Sequence, residues 1–175
     1  MPPPRPPEPV FDPKAMLRTL SEHDVRYILI GGVAATLHAS PYQTIDLDIC
    51  PARDGDNLER LAAALNAMEA GLRVTDEPEP LRVELTAHIL RAAPIVNLMT
   101  RWGPLDVVFR PAGTEGYEDL RREVVTVKLG DVEVEVASRA DVLRSKEAVY
   151  RDKDRLTVQL LRELEERDRA KKPRR

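Results

Sequence analysis

Two aspartates are embedded in an alternating apolar run, Thr44-Ile-Asp-Leu-Asp-Ile-Cys50. A strand of that pattern directs Ile45, Leu47 and Ile49 to one face and Asp46 and Asp48 to the other, about 7 Å apart. A later apolar run, Leu105-Asp-Val-Val-Phe109, carries a third carboxylate, Asp106, in the same way. Isolated carboxylates do not sit in half-buried strands without compensation. If the two strands are neighbours, three carboxylates converge and form a site for a hard divalent cation. The acidic residues therefore constrain the fold to one that brings these two runs side by side.

A third apolar run, Tyr27-Ile-Leu-Ile30, ends in Gly31-Gly32. A strand is expected over Val25–Ile30 and a helix over Val33–His38. Without a Cβ, the two glycines let phosphate oxygens approach the backbone closely. They lead into a helix N-terminus, whose free amides and dipole favour anions. A glycine pair after a strand is common as a plain turn, and D-x-D alone is a weak signal. Their combination with Asp106 is far more specific. It suits attack on an α-phosphate, which needs the triphosphate held, its charge neutralised and the attacking oxygen aligned. Two Mg²⁺ ions between bridging carboxylates meet the last two needs, with the third carboxylate as ligand or base.

The remaining pattern interleaves helices and strands. Met16, Leu17 and Leu20 share one face of a helix expected over Pro13–Ser21. Leu58, Leu61, Ala62, Leu65 and Met68 mark another, capped by Asp56 or Asn57 and closed by Gly71. Residues 75–81 form an acidic loop, and Glu84–Arg91 is weakly helical. Ile95–Thr100 and Leu105–Phe109 read as a hairpin with Gly103-Pro104 in its connection, and Val124–Leu129 and Val132–Val136 as a second one around Gly130-Asp131. A helix is expected from Ser138, with Asp141 three residues on as an acidic capping-box variant. The last helix is expected over Asp152–Arg169, with Leu156, Leu160, Leu161 and Leu164 inward. The fold class is α/β (α+β): a mixed β-sheet flanked by helices, with a C-terminal helical segment.

Composition narrows the function. The chain has 175 residues, enough for one domain with a real core and a small helical appendage. Net charge is −3, so the whole molecule is not a polyanion binder. Aromatic content of 4 % argues against base-stacking platforms for single-stranded nucleic acid. A single cysteine excludes an internal disulfide and a cysteine zinc cluster, in keeping with a cytoplasmic setting. No membrane-spanning stretch and no signal-peptide core are expected.

At these residues the chain resembles the polymerase-β-type nucleotidyltransferase superfamily: Leu29-Ile30-Gly31-Gly32, then Asp46-Leu47-Asp48, then Asp106. Within it, Gly31 to Ile49 and the segment from Ser145-Lys146 through Arg151, Lys153 and Asp154 resemble small bacterial AbiEii-like toxin nucleotidyltransferases of type IV toxin–antitoxin systems. The likeness spans roughly residues 20–165. It departs from the pattern at Gly32, where a Ser hydroxyl is common, and at Tyr42-Gln43, where many relatives carry an Arg.

The resemblance implies transfer of a nucleoside monophosphate from an NTP, with Mg²⁺ (or Mn²⁺), to an RNA or protein hydroxyl. Asp46, Asp48 and Asp106 are then the catalytic and metal-binding residues, Gly31, Gly32 and Lys146 hold the nucleotide's phosphates, and Thr44 and Asp154 assist. A cognate toxin or antitoxin partner is a further expectation. An antibiotic-type small-molecule acceptor and a catalytically weak, nucleotide-binding or partner-binding module are the alternatives, and a plain structural protein with solvated carboxylates is a weaker one. The expected organisation is a proline-rich tail over 1–10, a nucleotidyltransferase core over 11–137, a helical segment over 138–170 packed on it, and a basic tail over 171–175.

Other candidates carry blander readings. His38 is expected to be a structural histidine, and His23 and His88 have no partner at metal spacing. Cys50 reads as an inert buried thiol. Trp102 either packs over the core or lines the cleft. The basic C-terminal end, Arg167 to Arg175, reads as a solubilising tail, with RNA contact as the alternative.

Overall fold

The alternating runs fold as strands of one sheet. The computed structural model describes residues 9–40, 43–149 and 151–172. Most of the expected proline-rich tail, Tyr42, and Arg174 and Arg175 lie outside the described residues. The elements are α1 (Pro13–Glu22), β1 (Tyr27–Ile30), α2 (Gly31–Leu37), β2 (Leu47–Pro51), α3 (Gly55–Ala67), β3 (Gly71–Leu72), α4 (Ala87–Arg91), β4 (Ile95–Thr100), β5 (Gly103–Val108), α5 (Tyr117–Leu120), β6 (Val125–Leu129), β7 (Val132–Val136), α6 (Arg139–Val149) and α7 (Arg155–Lys171). Short 3₁₀ turns, Arg121–Glu123 and Asp152–Asp154, follow α5 and precede α7. No helix among the described residues is long and apolar enough to cross a membrane.

The sheet runs in the order β3-β4-β5-β2-β1-β7-β6. It is mixed: β1 pairs with β7 and β2 with β5 in parallel, and the other neighbours are antiparallel. β1 lies inside the sheet, between β2 and β7, and is buried at all four residues. On β4 and β5 burial alternates, so Val96, Leu98, Leu105 and Val107 face the core while Ile95, Asn97 and Asp106 are more open. Helix α1 buries Met16, Leu17 and Leu20 and packs on α3 and β7, while α2 packs on β2 and α6.

Several boundaries differ from the sequence expectations, each for a local reason. The strand of the aspartates begins at Leu47 rather than Thr44, because Thr44 to Asp46 bend to fit around Gly32. Helix α2 starts directly at Gly31 instead of Val33. Asp54, not Asp56 or Asn57, caps α3, accepting from the Asn57 N–H at 3.1 Å. Gly71 opens the two-residue strand β3 and does not close α3, which ends at Ala67 with Met68 as its C-cap. Thr86 caps α4, which is shorter than the expected Glu84–Arg91 helix. Gly103-Pro104 belong to β5, and Arg101-Trp102 make the turn. On α7 the inner face is Thr157, Val158 and Leu161, and Leu156 is 59 % exposed. The rotation goes with Ser40, whose Oγ lies 3.2 Å from Thr157 Oγ1 in a buried contact.

Asn57 ties the start of α3 to β1 and β2. Its side chain is fully buried, accepts from Arg26 N–H at 2.7 Å, and donates to the carbonyls of Arg26 and Ala52 at 2.9 Å each. Asn57→Ala leaves three backbone groups without these partners, and the protein should lose about 2–4 kcal/mol of stability in urea unfolding.

Candidate active site

A single row of registered residues crosses the sheet. Ile30 pairs with Asp48, Asp48 with Asp106, and Asp106 with Asn97. Directly paired residues point their side chains to the same face of a sheet. The row therefore sets Asp48 and Asp106 on one face of adjacent parallel strands, and the end of β1 delivers Gly31 beside them. Asp46 joins from the bend before β2, not from the strand itself. Its carboxylate accepts from Thr44 Oγ1, which also donates to the Asp46 carbonyl at 3.3 Å. Thr44 thus aims Asp46. One oxygen from each of Asp46, Asp48 and Asp106 lies within 4.8 Å of the others, and all three residues are half-buried.

Burial and neighbouring carboxylates oppose the ionisation of Asp48 and Asp106. The Asp48 carboxyl is pushed up to about 7, first by burial, then by Asp46 and Asp106. The Gly32 N–H and the Lys146 charge pull in the other direction. Asp106 is also raised, by burial first, against the opposing hydrogen bond and charge of Arg73. An oxygen-only cluster with this much unrelieved negative charge fits Mg²⁺ or Mn²⁺, which take carboxylate ligands and can lie between them.

The glycines are required by the site's own packing. Gly31 has φ +67°, and a Cβ there would lie 2.2 Å from Asp48 Oδ2. At Gly32 a Cβ would lie 2.8 Å from Cβ and Oγ1 of Thr44. A serine at Gly32 would therefore collide with the residue that aims Asp46, which accounts for its absence here. One amide of the pair is already engaged, since Gly32 N–H bonds to the Asp48 carboxylate.

Lys146, on α6, lines a pocket together with Gly31, Ser145 and Asp141. Its ammonium donates to Asp154 Oδ1 at 2.6 Å, and both side chains are mostly buried. Asp154 does not cap α7 with its side chain; it holds Lys146. Arg73 is the residue that the sequence reading missed. It follows β3 directly and its Nη2 donates to Asp106 Oδ1. No pattern announces it, because a two-residue strand has no periodicity to read.

The other candidates settle into structural places. His38 Nε2 donates to the Ala137 carbonyl at 2.8 Å, and His23 Nδ1 lies 2.8 Å from the Thr19 carbonyl. Cys50 is fully buried and its thiol is pushed up to about 12 by burial. Trp102 packs against the core, and its carbonyl accepts from Asp12 N–H at 3.0 Å.

No family model matches the chain, and no curated protein matches it significantly. Several solved structures resemble it, among them the following two. The lincosamide antibiotic adenylyltransferase LnuA, solved with lincomycin bound, aligns with 15 % identity and a TM-score of 0.57, over 89 % of this chain and 98 % of that one. TM1012 from Thermotoga maritima, described as a nucleotidyltransferase, aligns with 12 % identity and a TM-score of 0.48, over 91 % and 97 % of the two chains.

Two expected outcomes follow from the geometry. Gly31 and Gly130 share φ +67°, but a Cβ at Gly130 meets nothing within 4 Å. Gly130→Ala should cost about 1–2 kcal/mol of backbone strain in urea unfolding, and Gly31→Ala distinctly more, because it also displaces Asp48. The second concerns pH. A carboxyl raised from 3.8 to about 7 keeps its proton in the folded state after the unfolded chain has released it. Stability from that proton is fully present below pH 4 and is lost as pH rises through about 7. In EDTA, Asp48→Asn should therefore flatten the stability decline between pH 4 and 8, on the order of 1–3 kcal/mol. Asp106, also raised, leaves a residual slope. The sheet order, the alignment over nearly the whole of both chains and the placement of the end of β1 beside β2, which in turn pairs with β5, give this chain the nucleotidyltransferase fold.

Proposed function

We propose that the protein is a Mg²⁺-dependent nucleotidyltransferase that moves a nucleoside monophosphate from an NTP to a hydroxyl acceptor. The observation that carries the reading is the convergence of Asp46, Asp48 and Asp106 beside a glycine turn with no room for a side chain. The three carboxylates would hold Mg²⁺, with Mn²⁺ as a substitute. Bound there, the metal supplies charge neutralisation at the triphosphate and a lowered pKa at the attacking hydroxyl. Gly31 and Gly32 let phosphate oxygens close on the backbone, and Lys146 offers a point charge on the same side of the row. Asp106 completes the site and takes the acceptor's proton on its carboxylate.

In-line attack brings the acceptor from the side opposite the leaving pyrophosphate. With the triphosphate held at Gly31, Gly32 and Lys146, that side would be the β5-β4-β3 half of the sheet. Its rim is the exposed loop carrying Asp76, Glu77 and Glu79. Acidic groups there oppose a phosphate backbone, which favours a protein hydroxyl over RNA among the macromolecular acceptors. The AbiEii-like segments support a place in a toxin–antitoxin pair. A second reading, a small-molecule acceptor, is favoured by the structural likeness to a lincosamide adenylyltransferase.

Incubation with each α-³²P-labelled NTP, Mg²⁺ and in turn total RNA, total protein and a hydroxylated antibiotic panel separates these readings. Labelled protein is the expected result. Asp46→Ala and Asp48→Ala should each lower transfer by about a thousandfold or more. Unchanged transfer in both variants would sink the proposal.

A further inference from the structure

Among the described residues, one ion pair touches the acidic triad, and it is made by Arg73. Lys146, whose charge reaches Asp48, is held by Asp154. Arg73 N–H donates to the Asn97 carbonyl at 2.9 Å, so Arg73 extends the registered row one step beyond Asn97. Its guanidinium lies on Asp106, where a cation is needed if the triad binds metal. The Asp106 side chain is 17 % exposed and that of Arg73 37 %. The carboxylate is fixed in the sheet, and the guanidinium approaches it from a partly solvated stem.

We propose that Arg73 is a built-in counter-cation: it latches Asp106 in the metal-free protein and is released as the triad fills. This rests on the reading of Asp46, Asp48 and Asp106 as a metal site. In the metal-free protein the guanidinium relieves part of the repulsion among three acids. A divalent ion carries twice the charge and binds carboxylate oxygen at about 2.0–2.6 Å, closer than the 2.7–2.9 Å typical of a guanidinium N–H. Once the ion is bound, the cluster is no longer strongly negative and the attraction holding Arg73 is much weaker.

The local structure permits the movement. β3 is two residues long and stands at the sheet edge. The residues after it, Val74 to Glu79, are exposed. A shallow cleft lined by Arg73, Val74, Thr75 and Asn97 adjoins the pair on the acceptor side. Release of the guanidinium loosens that edge, so metal loading and opening of the acceptor side are coupled through one side chain.

Two measurements without nucleotide test this. The first is amide hydrogen exchange of the wild-type protein in EDTA and in saturating Mn²⁺. Faster exchange at Arg73 and in the 74–81 loop with metal is expected; unchanged or slower exchange there overturns the latch. The second is Mn²⁺ affinity by electron paramagnetic resonance. R73M should bind roughly five- to tenfold tighter than wild type and show no metal-dependent change in exchange. Equal or weaker binding overturns the latch and makes Arg73 a positioning partner of Asp106. Should R73M fail to fold, R73K, which keeps the charge but lacks the planar fork, should show a smaller shift in the same direction. Absence of Mn²⁺ binding in both wild type and variant defeats the metal reading itself. Binding with unaltered exchange defeats only the latch.

Discussion

Register across four strands sets the geometry of the site. Because Ile30, Asp48, Asp106 and Asn97 lie abreast, a one-residue slip of β2 or β5 would turn an aspartate into the core and an apolar residue out of it. Leu47, Ile49, Leu105 and Val107, all fully buried, prevent that slip. The packing of the core and the alignment of the carboxylates are thus one constraint seen from two faces. The parallel pairing of β2 with β5 matters equally. It places both acids at equivalent points on strands that run in one direction, at the end of the sheet where β1 hands over to Gly31.

The strands and two of the three acids were legible because a period of two is readable without any tertiary knowledge. Leu105-Asp-Val-Val-Phe cannot be other than half-buried, and its aspartate has to point outward. Asp46 was legible as a residue but not as a position. It leaves the strand because Gly32 packs against Thr44, a contact between segments twelve residues apart that no local pattern records. The face of α7 was misjudged for a related reason. Four leucines define a helical stripe, but in the fold Thr157, in buried contact with Ser40, faces inward beside Val158 and Leu161, and Leu156 is left in solvent. Capping residues slipped by two or three positions because Asp54, Asp56 and Asn57 are all good caps. Only the fold shows that Asn57 is committed to the backbone of Arg26 and Ala52.

Gly31 and Gly32 take on a different meaning in three dimensions. In sequence they suggest a turn open to phosphate. In the structure both positions also press on the acidic site, one on Asp48 and the other on Thr44. A side chain at either would disturb the carboxylates before it touched any ligand. Lys146 and Asp154 are linked in the same way: resemblance gave each a separate supporting role, whereas the fold makes them a mostly buried pair, one holding the other.

The triad is a liability to the metal-free fold. Three acids lie within 4.8 Å on a half-buried face, and burial, with the neighbouring carboxylates adding to it, raises Asp48 and Asp106. A chain selected for stability alone would place a neutral or apolar residue at one of these positions, as in the neighbouring registers of β2 and β5. Sequence-level consistency fails at this cluster, which is where a functional site is expected to break the rules that the rest of the fold obeys. Arg73 fits this account. It relieves the repulsion only in part, from the edge of the sheet and through a partly exposed side chain. A permanent structural counter-charge would be better buried and fixed from both sides. A partner held this loosely suits a position that a stronger cation has to take.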